Sequence, residues 1–206
     1  MERQRWLDGT LYSPDFEQDS CGFGLIAQID NQPSHTLVQN AIGSLACMTH
    51  RGAIAADGLS GDGCGLLFKK PDAFLRAVAS EAGLTLGELY AAGLLFLSRD
   101  AAPQAHARAT LKAALEAQGL TVAGFRLVPT NSSVCGESAL ASLPHIEQAF
   151  INAPAGMSED DFERKLYIAR RQAEKALEPT DPVFYLPTLS CRVISYKGLV
   201  MPDNLP

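Results

Sequence analysis

Cys21-Gly22-Phe23-Gly24-Leu25-Ile26-Ala27-Gln28-Ile29-Asp30 is the first well-patterned run of the chain. It is apolar with two early glycines, a pattern that predicts a buried strand whose backbone passes close to another group. Residues 1–20 form a polar leader in which Arg3 and Arg5 stand against Glu2, Asp8, Asp15, Glu17 and Asp19. The leader has no apolar run and so does not read as a secretory signal. If the chain is cut between Ser20 and Cys21, the new first residue carries both a thiol nucleophile and an amine base. Such a residue can hydrolyse an amide with no catalytic histidine and no metal. A free α-amine has a reference pKa of about 7.7–8, close enough to neutrality to exchange protons with a thiol. Taken alone, a cysteine heading an apolar strand is usually a small buried hydrophobe. The abrupt start of patterned sequence after the leader, and the uncovered backbone at Gly22 and Gly24, favour the nucleophile.

The 206 residues are 47% hydrophobic and 19% charged, enough to bury a sizeable core in one domain. A net charge of −6 argues against nucleic acid or an anionic membrane as partner. The longest apolar stretch, residues 91–97, is far too short to span a bilayer. Five cysteines, at 21, 47, 64, 135 and 191, are odd in number and lack paired spacing. Free thiols in a cytoplasmic protein fit this better than a disulfide framework.

Ser34 caps a predicted helix over residues 35–50, with Leu37, Ala41, Leu45 and Met48 on one face. Turn signals at Asp57-Gly58 and Gly61-Asp62-Gly63 lead into a strand over 64–69. Helices follow at 71–82 and 102–118, each closed by glycine, with strands at 92–98 and 120–128. A short helix is expected within 135–143 and an extended segment at 145–152. Ser158-Glu159-Asp160-Asp161 begins a long helix to about residue 177, with Phe162, Leu166, Ala169, Ala173 and Leu177 as its apolar stripe. Two last strands are expected at 183–186 and 191–196. Strands that alternate with helices but also follow one another directly predict a layered α+β fold.

His50-Arg51-Gly52 closes the first helix as a cation-then-glycine stop, the default reading of such a triplet; the functional reading has Arg51 anchoring groups around the cysteine amine and Gly52 letting the backbone approach it. Cys47 and His50 stand at i, i+3, but a zinc site needs about three or four ligands. Cys47 reads better as a core residue, and no metal site is expected. The glycine-dense run from 58 to 65 lacks the lysine and hydroxyl of a phosphate-binding loop and reads as a tight hairpin. The basic residues of the long helix alternate with glutamates, as on a solvated face.

Together, Cys21-Gly-Phe-Gly-Leu-Ile-Ala, His50-Arg51-Gly52-Ala53, Ala56-Asp57-Gly58 and Gly61-Asp62-Gly63-Cys64-Gly65 resemble the start of glutamate synthase large subunits. So do Pro129-Thr130-Asn131, Asn152-Ala153-Pro154-Ala155-Gly156 and Tyr196-Lys197-Gly198. The resemblance implies a class II glutamine amidotransferase domain over residues 21–206 behind a removable propeptide, residues 1–20. The fold it implies is a four-layer αββα N-terminal-nucleophile hydrolase sandwich, present only in part. By motif match Cys21 is the nucleophile, with its own amine as base, and Arg51 and Gly52 help to position that amine. The implied substrate is L-glutamine, and the implied partners are the remainder of the large subunit and a small reductase subunit. Flavin mononucleotide and an iron–sulfur cluster belong to the family's synthase half, so no cofactor is expected in this chain. The family's oxyanion-hole Asn-Gly pair has no counterpart here, so the expectation is a truncated domain with little activity by itself. Two other readings remain at this point: an unprocessed interaction fragment, and an N-terminal-nucleophile hydrolase that cuts a different amide.

Overall fold

A computed structural model describes residues 22–49, 54–61 and 63–204. The described elements are α1 (His35–Ala46), β1 (Cys64–Lys69), α2 (Asp72–Glu81), β2 (Tyr90–Leu97), α3 (Ala101–Ala117), β3 (Thr121–Leu127), α4 (Glu137–Ala141), β4 (His145–Asn152), α5 (Glu159–Leu177) and β5 (Val193–Gly198), with a final 3-10 turn at Pro202–Asn204. They form two antiparallel sheets flanked by helices, the mixed architecture expected of a partial αββα sandwich.

The larger sheet has the order β2-β4-β3, with β4 in the middle. Every residue of β2 is buried, which explains its near-continuous apolar sequence. Alternate side chains of β2 and β4 enter different cores. Ala91, Leu95, Leu97, Ala149 and Ile151 meet α3 and α5, whose Leu111, Leu115, Phe162, Leu166 and Ala169 are fully buried. Tyr90, Ala92 and Phe150 face the other way, toward Leu75 and Ala79 of α2 and Ile194 of β5. The central sheet therefore separates a helix pair from the β1–β5 ribbon and α2.

Local chemistry sets the helix ends. Ser158 Oγ accepts from the Asp161 amide at 3.2 Å and its hydroxyl donates to Asp161 Oδ2 at 2.9 Å. This anchors α5 and places three acids at the positive end of its dipole. Gly83 and Gly119 close α2 and α3 with φ of 72° and 74°, a region closed to most side chains.

The chain from 185 to 190 runs along the free side of β2 through bridges at Phe96–Tyr185 and Ala92–Ser190. Gly93 makes this approach possible, since a Cβ there would collide with the Thr188 carbonyl and lie 3.0 Å from Leu189 Cδ1. Gly93→Ala should cost about 1–3 kcal/mol by forcing the 185–190 segment away. A urea melt checks this, and an unchanged midpoint would refute the close contact.

Three expectations are corrected. Residues 22–28 form no strand: they lack sheet partners among the described residues, and Phe23 and Leu25 are 90% and 88% exposed. A strand cannot persist on pattern alone, because its backbone groups need a neighbouring ladder. The expected strand at 183–186 is a single bridge at Tyr185, because Asp181 Oδ1 accepts from the amides of Val183 and Phe184 and holds a turn there. Cys47 is exposed rather than a core residue, since α1 ends at Ala46 and none of its residues is fully buried.

Candidate functional site

The three residues singled out in the sequence, Cys21, Arg51 and Gly52, lie outside the described residues, as does His50 of the Cys47–His50 pair. The described structure supplies what flanks them. Upstream of His50, the Thr49 hydroxyl donates to the Ala46 carbonyl at 2.7 Å and lies 3.2 Å from Asp203 Oδ1. Downstream, only Ala53 separates Gly52 from Ile54, which opens a tight hairpin. Its strands meet through an Ile54–Gly61 bridge and an Ala55 amide that donates to the Ser60 carbonyl at 2.8 Å. The glycine-dense run thus begins as the hairpin expected from its turn signals.

Asp57 organises that hairpin. Its Oδ1 accepts from the amides of Leu59 at 2.9 Å and Ser60 at 2.7 Å, and its Oδ2 accepts from the Ser60 hydroxyl at 2.6 Å. These bonds, the Ser60 hydroxyl first, hold the carboxyl well below the usual carboxylate range against a small opposing effect of burial. The sign follows: the bonded carboxylate contributes stability above its ordinary pKa, which is lost as pH falls through the lower folded value.

Ser60 is 4% exposed and reaches across to α4, where its Oγ accepts from the Ala139 amide at 3.3 Å. Gly136 is required beside this contact, because a Cβ there would strike Asp57 Oδ2 and Ser60 Oγ. Between hairpin and helix lies an open, mostly apolar cleft of about 370 Å³, walled by Ile54, Gly61, Ser138, Ser142 and Leu199.

Other motif residues have structural partners in the described part. Asn152 Oδ1 accepts from the Gly87 amide at 2.9 Å and its Nδ2 donates to the Thr85 carbonyl at 3.0 Å, clipping the loop before β2. Asn131 Oδ1 accepts from the Ser133 amide at 3.1 Å. Tyr196 stacks on Phe68 at 5.6 Å between centroids, and burial raises its phenol pKa. Sequence reasoning missed Ser60, whose neighbours Leu59 and Gly61 gave no sign of burial; Asp57 stood out as a turn residue and as part of the Ala56-Asp57-Gly58 motif, with no role of its own.

The four described cysteines are all free. Cys191 is buried and its thiol is pushed up to about 12, by burial first and then by Glu163. Burial also raises Cys64, whose sulfur donates to the Val200 carbonyl at 3.3 Å. Both stay protonated near neutrality and are poor nucleophiles. Among the described residues no group of three or more His, Cys, Asp or Glu is placed to hold a metal ion, and no helix is long and apolar enough to cross a membrane.

The family profile of class II glutamine amidotransferases matches residues 21–206. Over 186 residues, 89% of the chain, the sequence is 40% identical to a ferredoxin-dependent glutamate synthase 2 of Synechocystis sp., of which this covers 12%. It is 37% identical over 95% of its length to the glutamate synthase [NADPH] large chain of Bacillus subtilis, covering 13% of that protein. It is 38% identical over 92% of its length to a ferredoxin-dependent glutamate synthase 1 of Arabidopsis thaliana, again covering 12%. The chain therefore spans about an eighth of the length of these curated relatives.

Proposed function

Since this chain belongs to the class II glutamine amidotransferases and is similar to glutamate synthases, we propose that it is the glutamine-hydrolysing, ammonia-producing portion of such an enzyme, working in the cytoplasm. The observation that carries this reading is where the family match begins: at Cys21, the first residue of the chain if residues 1–20 are removed as a propeptide.

In this proposal the α-amine of Cys21 takes the thiol proton, and sulfur attacks the side-chain carbonyl of L-glutamine. The tetrahedral intermediate collapses as the ammonium returns its proton to the leaving nitrogen, which departs as ammonia. A γ-glutamyl thioester remains. Water, deprotonated by the same amine, attacks it; glutamate leaves and the thiol is restored. Arg51 and Gly52 position the amine. In a full glutamate synthase the ammonia would pass to 2-oxoglutarate, with the remainder of the large subunit and a small reductase subunit as partners.

The 206 residues contain no Asn-Gly pair to serve as the family's oxyanion hole. Removing one oxyanion donor typically costs about 10²–10³ in rate. We infer that this polypeptide by itself turns over glutamine slowly, although Cys21 can still react once. Two measurements test the reading together. Intact mass should show loss of residues 1–20, and a diazoketone analogue of glutamine should label Cys21, with protection by glutamine but not by asparagine. Brisk ammonia release from the isolated polypeptide would refute slow turnover. Protection by asparagine as well would point to a hydrolase of a different amide. A second reading, an unprocessed interaction fragment, draws on the exposure of Phe23, Leu25 and Ile29. A retained leader with no labelling would favour it.

A further inference from the structure

Asp57-Gly58 is a junction of the kind that most readily turns into isoaspartate, because glycine puts no side chain beside the backbone nitrogen that must attack. In that reaction the Gly58 nitrogen bonds to Asp57 Cγ, and the amide proton leaves with the carboxyl hydroxyl as water. A five-membered succinimide remains. Solvent water then reopens the ring. Opening at the Asp57 backbone carbonyl routes the main chain through Cβ and Cγ and leaves an isoaspartate of unchanged total mass. Three conditions apply: the carboxyl must be protonated, since a carboxylate has no group to release; the Gly58 nitrogen must be free; and Cγ must be able to turn toward it.

The folded hairpin opposes all three, although Asp57 itself is exposed to water. Asp57 Oδ1 accepts from the amides of Leu59 at 2.9 Å and Ser60 at 2.7 Å, and Oδ2 accepts from the Ser60 hydroxyl at 2.6 Å. These bonds pin Cγ and keep the carboxyl ionised, the Ser60 hydroxyl having the largest effect. The Gly58 amide is occupied as a donor to the Ala55 carbonyl at 2.9 Å. The clamp is not self-contained. Ser60, which supplies two of the three bonds, is buried, and its Oγ accepts from the Ala139 amide of α4 at 3.3 Å, 79 positions away in sequence. The Ser138 amide adds to the lowering of the Asp57 pKa, and Gly136 leaves no room for a Cβ beside the pair. Asp57 is held in full only while α4 stays docked.

We propose that Asp57-Gly58 is an isoaspartate-forming site gated by α4: docked on Ser60, the helix keeps the junction unreactive, and undocking opens it to modification by solvent water alone. The added backbone carbon would displace the carboxylate from the Leu59 and Ser60 amides, so a hairpin that has isomerised cannot rebuild its clamp. The modification therefore records, on each chain, that the hairpin has once come away from α4. It does not depend on which amide the chain hydrolyses.

The test keeps the complete 206-residue chain for weeks at neutral pH. Isoaspartate at Asp57 is read by electron-transfer fragmentation of the peptide that carries it, which tells position 57 from position 62. In the folded wild type it should form at least about tenfold more slowly than in the same chain unfolded in urea. Equal rates overturn the gate. Ser60→Ala removes the hydroxyl, and Ala139→Pro removes the amide at a helix position where proline is tolerated. Each should speed the reaction by about tenfold, the scale of losing one hydrogen bond to a charged group. Slow amide exchange in β2 and β4 shows that both variants fold. No rise in either overturns the proposal, and a rise in Ser60→Ala alone overturns the part given to α4. Gly93→Ala, which weakens the fold away from the hairpin, should leave the rate unchanged. A rise there as large as in Ser60→Ala would mean that global unfolding opens the junction, and would overturn local gating.

Discussion

Phe162→Ala should lower the stability of this chain by about 3–5 kcal/mol, the range for emptying a fully buried aromatic position. Phe162 is 0% exposed and belongs to the core in which α5 and α3 cover the central sheet. It sits one turn into α5, beside the Ser158 cap, so this end of the helix cannot close over the void without disturbing that anchor. Domains of this size are held together by about 5–15 kcal/mol in total, so the variant should lose a large share of its stability. The measurement is a urea melt followed by circular dichroism, with the midpoint falling and the slope unchanged. A loss below about 1 kcal/mol would mean that α5 is not packed on the sheet as described.

Arg108→Ala should cost about 2–4 kcal/mol for a different reason, one buried charge left without its partner. Glu147 of β4 is 7% exposed, and its Oε1 accepts from Arg108 Nη1 at 2.6 Å and lies 2.9 Å from His145 Nε2. Its Oε2 is buried with no partner among the described residues. Removing the guanidinium leaves one imidazole beside a carboxylate that is largely withdrawn from water. The double variant Arg108→Met, Glu147→Met removes both charges and should recover much of the loss, since apolar replacement of a buried pair is often neutral or better. If the double variant is as unstable as the sum of the single ones, the pair is not coupled and the argument fails.

Much of the fold was legible because its signals are local. The apolar stripe of α5 and the Ser158 cap are written in consecutive residues, and all five stripe residues are buried. Gly83 and Gly119 announce the ends of α2 and α3 in the same way. What could not be read depends on distant partners. Residues 21–30 and 64–69 look equally like strands, yet only the second finds a ladder among the described residues, against a segment more than a hundred positions away. Cys47 reads as a core residue once a zinc site is set aside, yet it is exposed, because nothing in the local sequence states how closely a neighbour will approach. At the candidate site, the turn chemistry of Asp57-Gly58 was visible. The link from Ser60 to α4 joins residues with no sequence relation, so no spacing rule could have found it.

The ribbon of β1 and β5 has a consequence during synthesis. Cys64 is opposite Gly198 and Lys69 opposite Val193, so β1 leaves the ribosome with no partner. At translation rates of about 5–20 residues per second, it waits roughly 6–25 seconds for its neighbour. Through that interval Leu67, still 64% exposed when the ribbon is formed, is open to chance pairing with other nascent chains. The yield of native protein in the cell should therefore respond to chaperone supply and growth temperature more than its equilibrium stability would suggest.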